Sequence, residues 1–256
     1  MPVLALLFFA TALLYSAVGF GGGSTYNALL VLARTDYRAV PAVALTCNIL
    51  VVIIGSRRFA TAGHVQWRRI WPLFTLSVPM AWVGGRIMVG EALFVGLLAA
   101  SLFLAGMTML WRSEPEDMPT AAPRATWAEP LIGGGLGFLA GIVGIGGGIF
   151  LAPILHLLRW DRSKAIAATC SVFILVNSVP GLIGQLSKAD GYDRMQAIVA
   201  HWLLFPAVAV GGVVGSTIGS RRLAARYVRI ATALLVLYVA VQLAVRFGTI
   251  VSRPAA

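Results

Sequence analysis

Four glycines crowd into five residues at Gly144-Ile145-Gly146-Gly147-Gly148, and the same Gly-x-Gly-Gly-Gly pattern occurs once before, at Gly19-Phe20-Gly21-Gly22-Gly23. Glycine carries no functional group, so the chemistry on offer is that of the backbone. Each glycine costs a helix interior about 1 kcal/mol relative to alanine, and a run of them breaks the helix. Where a short helix restarts at Gly23 or Gly148, its first amides lack partners within the helix and its dipole is positive. Such an N-terminus attracts a small anion without any buried lysine or arginine. The backbone candidates for an anion site are therefore Gly21, Gly22, Gly23, Gly146, Gly147 and Gly148. Small polar residues in the same apolar runs add Ser24, Asn48, Ser171 and Asn177 as substrate-binding candidates, with Thr25, Asn27, Thr46, Thr169, Ser178 and Gln185 at similar depth. Consecutive glycines offer helix packing no advantage over spaced ones. The spaced series Gly133, Gly137, Gly141 and Gly211, Gly215, Gly219 read as packing positions instead.

Other chemistry finds little material. Asp36, Glu91, Glu114, Glu116, Asp117, Glu129, Asp161, Asp190 and Asp193 all fall in loops or at helix ends, so coupling through a carboxylate at mid-membrane is not expected. His64, His156 and His201 have no serine, cysteine or carboxylate at motif spacing, which argues against an enzyme and leaves no catalytic residue to name. Cys47 and Cys170 lack metal-ligand or disulfide spacing, so neither a metal nor a cofactor is expected. They read as small hydrophobes, with sulfur chemistry at a substrate left open. Asn177-Ser178-Val179-Pro180-Gly181 either frees carbonyls to line a cavity or makes a plain proline kink. Arg86 reads as snorkelling to the interface and His156 as packed and neutral. A nucleotide-binding glycine loop needs a strand and a soluble unit around it, which this composition excludes.

The elements that position the glycines are membrane helices. Hydrophobic residues make up 59% of the chain and charged residues 11%, against about a quarter charged in soluble domains. With a mean hydropathy of +0.88, the lipid bilayer is the expected surrounding. No lysine or arginine precedes Arg34, so the apolar N-terminus lacks the basic start of a cleaved signal and reads as a retained helix. Net charge is +11, but the basic residues sit in short loops between apolar runs, and no nucleic-acid partner is expected.

In chain order, residues 2–19 form a helix, the first glycine run breaks it, and a segment to Ala33 is too short to cross a bilayer alone. Helices follow at 39–55, 70–88 and 92–111. A polar linker at 112–129 separates this first repeat, 1–111, from a second at 130–256. There a helix at 130–143, the second glycine break and a short helix to Leu158 precede spans near 165–186, 197–218 and 228–247. Arg34-Thr35-Asp36 after one short helix matches Arg159-Trp160-Asp161 after the other. If each glycine run is the tip of a hairpin that returns to its own side, 13 of the 20 basic residues share one face, whereas full crossings divide them evenly. The positive-inside rule selects the hairpins and places both termini in the periplasm. Five segments per half then make the repeats inverted. The fold class is all-α polytopic membrane protein, two inverted repeats, each a broken-helix hairpin with a Gly-rich tip plus three transmembrane helices.

Two apolar helices that each lead into Gly-x-Gly-Gly-Gly make the chain resemble the TauE/SafE family of bacterial inner-membrane transporters, also called the toluene-sulfonate uptake permeases. The resemblance covers residues 3 to 247. It implies export or uptake of a small sulfur-containing anion such as sulfite or an organosulfonate. The first motif continues with Ser24 and Thr25 and the second with Ile149 and Phe150, so the two half-sites differ chemically. The expectation is a secondary transporter of the inner membrane whose partner is a small anionic substrate, the alternatives being a passive anion channel or a non-transporting membrane subunit. A coupling ion, such as a proton, is left open.

Overall fold

A computed structural model describes residues 1–17, 20–111, 128–158, 160–161, 163–219 and 225–252. Gly19 of the first glycine motif, Arg159 and the linker residues 112–127 lie outside the described residues. Eleven helices occupy the described residues: α1 (Pro2–Ala17), α2 (Gly23–Leu32), α3 (Val40–Thr61), α4 (Trp67–Arg86), α5 (Glu91–Trp111), α6 (Ala128–Val143), α7 (Gly148–Leu157), α8 (Ser163–Leu186), α9 (Gly191–Ala200), α10 (Leu204–Gly219) and α11 (Ala225–Val251). No strand occurs among them. Four helices, α3, α5, α8 and α11, are long and apolar enough to cross a membrane, and the bent pair α9 and α10 would add a fifth. The α1 and α6 helices are apolar but shorter.

The glycine runs end helices as expected. The α1 helix stops at Ala17 and α2 starts at Gly23, while α6 stops at Val143 and α7 starts at Gly148. Each short helix has 10 residues, about 15 Å at 1.5 Å per residue, which is half a bilayer.

The middle of the molecule is α3 against α8. In both, 61% of the span is buried inside the protein, against 22% for α11, so these two helices are the internal wall and α11 is peripheral. Packing runs across the halves: α4 lies along α6 and α8, α10 lies along α1 and α3, and α5 meets α11. Within each half, α2 rests on α3 and α7 on α8. The α4–α6 seam is closed by small residues. A Cβ at Gly133, Gly137 or Gly141 would sit 2.1, 2.3 or 2.1 Å from the carbonyl oxygens of Leu73, Ser77 and Ala81. On the α1–α10 seam, Gly211 and Gly215 face the carbonyls of Phe9 and Leu13 in the same manner, at 2.5 and 2.1 Å. With no water to squeeze out between lipid-facing helices, such close backbone approach is how they adhere.

One expected span is broken. The stretch 197–218, read as a single helix, is α9 and α10 bent by 65° at residues 201–203. Pro206 falls in the first turn of α10, where its fixed φ suits a helix start, and His201 Nδ1 lies 2.8 Å from the Ala197 carbonyl at the end of α9. The α9 helix carries Asp193, Arg194 and Gln196, too polar for a span.

Candidate functional site

The two glycine breaks meet in the interior, and Asn48 of α3 joins them. Its Oδ1 accepts the Gly23 N–H at 3.2 Å. Its Nδ2 donates to the Ile145 carbonyl at 3.4 Å and to Ser178 Oγ on α8 at 3.2 Å. Side chains leave no room at this crossing: a Cβ at Gly21 would lie 2.0 Å from Asn48 Oδ1, one at Gly23 2.9 Å from the Ile145 backbone oxygen, and one at Gly146 2.7 Å from Ser178 Oγ. A second asparagine reaches the other way. Asn27 of α2 donates through Nδ2 to the carbonyls of Val143 at 3.0 Å and Gly144 at 2.9 Å, capping the end of α6. Those carbonyls have no acceptor role left within their own helix, and an uncapped helix end in hydrocarbon would be costly.

The breaks share a motif but not a conformation. Gly144, Gly146 and Gly147 have φ of +76°, +81° and +81°, a left-handed path that favours glycine, whereas Gly22 has φ −90°. The second break is therefore a tight loop, and the described part of the first, Gly21 to Gly23, a helix start without left-handed residues.

Of the ten residues expected at the site, Gly21, Gly23, Asn48 and Gly146 form this crossing. Gly22 faces the Tyr26 ring, Gly147 the Phe173 ring, and Gly148 both Ile174 and the Cys170 carbonyl. Ser24 turns to the Tyr15 hydroxyl at 3.4 Å, which also bonds Thr25 Oγ1 at 2.8 Å. Ser171 pairs with Ser56 at 3.0 Å across α3 and α8. Asn177 Nδ2 bonds back to the Phe173 carbonyl at 2.8 Å, and its buried Oδ1 has no partner among the described residues. Asn27 and Ser178 were legible as polar residues at depth, but not as members of the crossing. Cys47 and Cys170 are buried free thiols. Among the described residues no group of histidine, cysteine and carboxylate could hold a metal ion.

An arginine from another helix holds the loop that follows each short helix. Arg69 of α4 pairs with Asp161 at 2.6 Å, donates to the Trp160 carbonyl, and lies over the Trp160 ring at 4.3 Å. Trp160 Nε1 in turn donates to the buried Glu129 at 3.2 Å. Arg194 of α9 holds Asp190 with two bonds of 2.8 Å and donates to the Arg38 carbonyl after α2. The six described carboxylates, Asp36, Glu91, Glu129, Asp161, Asp190 and Asp193, lie in loops or first turns.

The model of the sulfite exporter TauE/SafE family matches residues 4–243, a span that includes both glycine breaks and Asn48. The chain belongs to this family. Among TauE/SafE relatives, a probable membrane transporter protein of Sinorhizobium fredii, y4hK, is 33% identical over 239 residues, covering 91% of this chain and 94% of its own. A probable membrane transporter protein of Methanocaldococcus jannaschii is 28% identical over 204 residues, 75% of each chain. The relative YunE of Bacillus subtilis, also named a probable membrane transporter protein, is 23% identical over 239 residues, 80% of this chain and 84% of its own. No solved structure matches the chain. This TauE/SafE protein is thus a multi-pass membrane protein related to transporters.

Proposed function

We propose that the protein is a secondary transporter for a small sulfur-containing anion, sulfite or an organosulfonate, which binds where the two glycine breaks cross. The observation that carries this reading is the Asn48 clasp, which holds the start of α2 against the loop before α7. Two helix N-termini then bring their positive ends to one buried place, and neither needs a charged side chain to hold an anion. Ser24, Ser171 and Asn177 are assigned to the same pathway, Asn177 through its unpartnered Oδ1.

The architecture is assigned as two inverted repeats, 1–111 and 130–256, joined by the linker 112–129. Support comes from the way contacts exchange: α4 on α6 has its counterpart in α10 on α1, and α4 on α8 in α10 on α3. The protein is placed in the bacterial inner membrane with both termini in the periplasm, which puts the Arg69 end on the cytoplasmic side and the Arg194 end outside. Cysteine introduced at position 60 should resist labelling by a membrane-impermeant reagent in intact cells.

The test of function is flux. Proteoliposomes loaded with sulfite should release it at a rate that saturates with concentration and is stimulated by sulfite on the far side. Flux that rises linearly would identify a channel. Absence of both flux and sulfite-dependent thermal stabilisation would remove the transporter reading altogether.

A further inference from the structure

Away from the glycine crossing, a cavity of about 240 Å³ opens between the start of α3, the loop from α4 to α5, and the α8–α9 corner. A cavity of about 150 Å³ already holds benzene, so this one accommodates a small organic molecule. One wall is cationic. Lys188 and Arg194 both line it, and both donate to the same acceptor, Gln185 Oε1, at 2.9 and 2.8 Å. Two cations on one amide oxygen leave positive potential in excess. Arg194 is neutralised by its bidentate bond to Asp190, but among the described residues no carboxylate pairs with Lys188 or with Arg38, the third cation of the lining. The apolar part of the lining is made by Phe94, Val89 and Pro41.

We propose that this cavity is a second, separate binding site that takes a small organic anion, its charged group on Lys188 and Arg38 and its apolar part against Phe94 and Val89. The arrangement is amphipathic in the way such a ligand is. A purely inorganic ion would leave the apolar wall unused. The inner end lies close to the glycine loop, since Pro41 lines the cavity and a Cβ at Gly144 would sit 2.7 Å from it. Gln185 makes a second link: its Nε2 donates to the Gly141 carbonyl at 2.8 Å, in the last turn of α6. An anion that draws Lys188 off Gln185 thereby acts on the residue that holds the approach to the break. The site stands on its own geometry and does not depend on where transport takes place.

The chain has two lysines, Lys164 and Lys188, which gives the site its own reporter. Burial and the Arg194 charge push the Lys188 ammonium down to about 8, so at pH 8 a large fraction of it is the neutral, acylatable amine. The purified full-length protein in micelles is acetylated with an N-hydroxysuccinimide ester, with and without ethanesulfonate, and each lysine is quantified by mass spectrometry. Ethanesulfonate should protect Lys188 saturably and leave Lys164 unprotected, while choline chloride protects neither. Loss of one charged hydrogen bond lowers affinity about tenfold, so Arg38→Gln should raise the half-protecting concentration by about that factor. Val89→Trp, which fills the apolar side, should abolish protection. Equal acetylation of Lys188 with and without ethanesulfonate overturns the proposal. So does equal protection of both lysines, or protection by phosphatidylglycerol vesicles alone, which would make the cavity a lipid-headgroup site. Because the readout is at Lys188, loss of flux in a crossing variant leaves this result unaffected.

Discussion

Replacing Asn48 and Asn177 by alanine, one at a time, separates the clasp from a residue of equal burial that joins no two elements. Both side chains are essentially inaccessible, 0% and 1% exposed, so burial alone predicts equal costs. Their partners predict otherwise. Asn48→Ala strands the Gly23 N–H, a buried donor whose desolvation costs about 1–3 kcal/mol, and removes two further bonds. One of these is long, at 3.4 Å, and the other is accepted by Ser178 Oγ, whose own O–H remains able to donate elsewhere. Side-chain hydrogen bonds between membrane helices average about 0.6 kcal/mol, so the total comes to about 2–4 kcal/mol. Asn177→Ala gives up one bond to a carbonyl of its own helix and disposes of an oxygen that has no partner, so its cost should stay below about 1 kcal/mol. The assay is reversible unfolding of the purified protein in mixed micelles with increasing sodium dodecyl sulfate, monitored by tryptophan fluorescence. Equal destabilisation, or a larger loss in Asn177→Ala, would refute the assignment of Asn48 as the joint between the two breaks.

Gly146→Ala combines a left-handed residue, which costs about 1–2 kcal/mol, with overpacking of about 1–3 kcal/mol against Ser178 and Ile174. It should both destabilise the protein and stop flux, whereas Gly135→Ala, whose Cβ meets nothing within 4 Å, should gain up to about 1 kcal/mol of helix stability in the same unfolding assay. Lys188 keeps its proton only to about pH 8 in the folded chain but to about 10.5 when unfolded, so between those values the unfolded state binds more protons and stability rises with pH. Wild type should therefore gain on Lys188→Met in thermal unfolding as pH rises from 8 to 10, while ethanesulfonate protection weakens as the ammonium is lost; the neighbouring Arg38 is pushed up by Tyr37 and Asp190 down by Arg194, so both keep their charges through that range. Asp36→Asn, Glu91→Gln and Asp161→Asn should each leave any proton dependence of flux intact, and loss of coupling in one of them with substrate binding retained would place a carboxylate in the pathway.

The parts of this molecule that could be read from the chain are those with a local cause. Apolar runs give helices, and glycine runs interrupt them whatever surrounds them, so both breaks and the short helices after them are visible without coordinates. The bend between α9 and α10 had a local signal in Pro206, but Pro72 and Pro79 lie inside α4 without ending it. What differs is polarity: α9 carries Asp193 and Arg194 just before the bend, whereas α4 carries no charge between Arg69 and Arg86. The crossing itself had no local cause. Asn27 meets Val143 across 116 residues of sequence, and nothing near either residue encodes the other. The identical motifs likewise concealed different dihedrals, because glycine permits both and only the neighbours choose.

The cap that Asn27 places on α6 has a mechanical side. A helix end whose carbonyls are held by another helix cannot slide past it without giving up both bonds at once. α2 and the end of α6 are therefore one lever, although more than a hundred residues of sequence separate them. Any swing that opens the crossing has to pivot elsewhere, and Asn48, with its longer and more easily exchanged bonds, is the weaker of the two joints. A motion that opened the proposed site would then carry mixed pieces from before and after the linker, so cutting the chain between the two proposed repeats should sever no moving part from its partner.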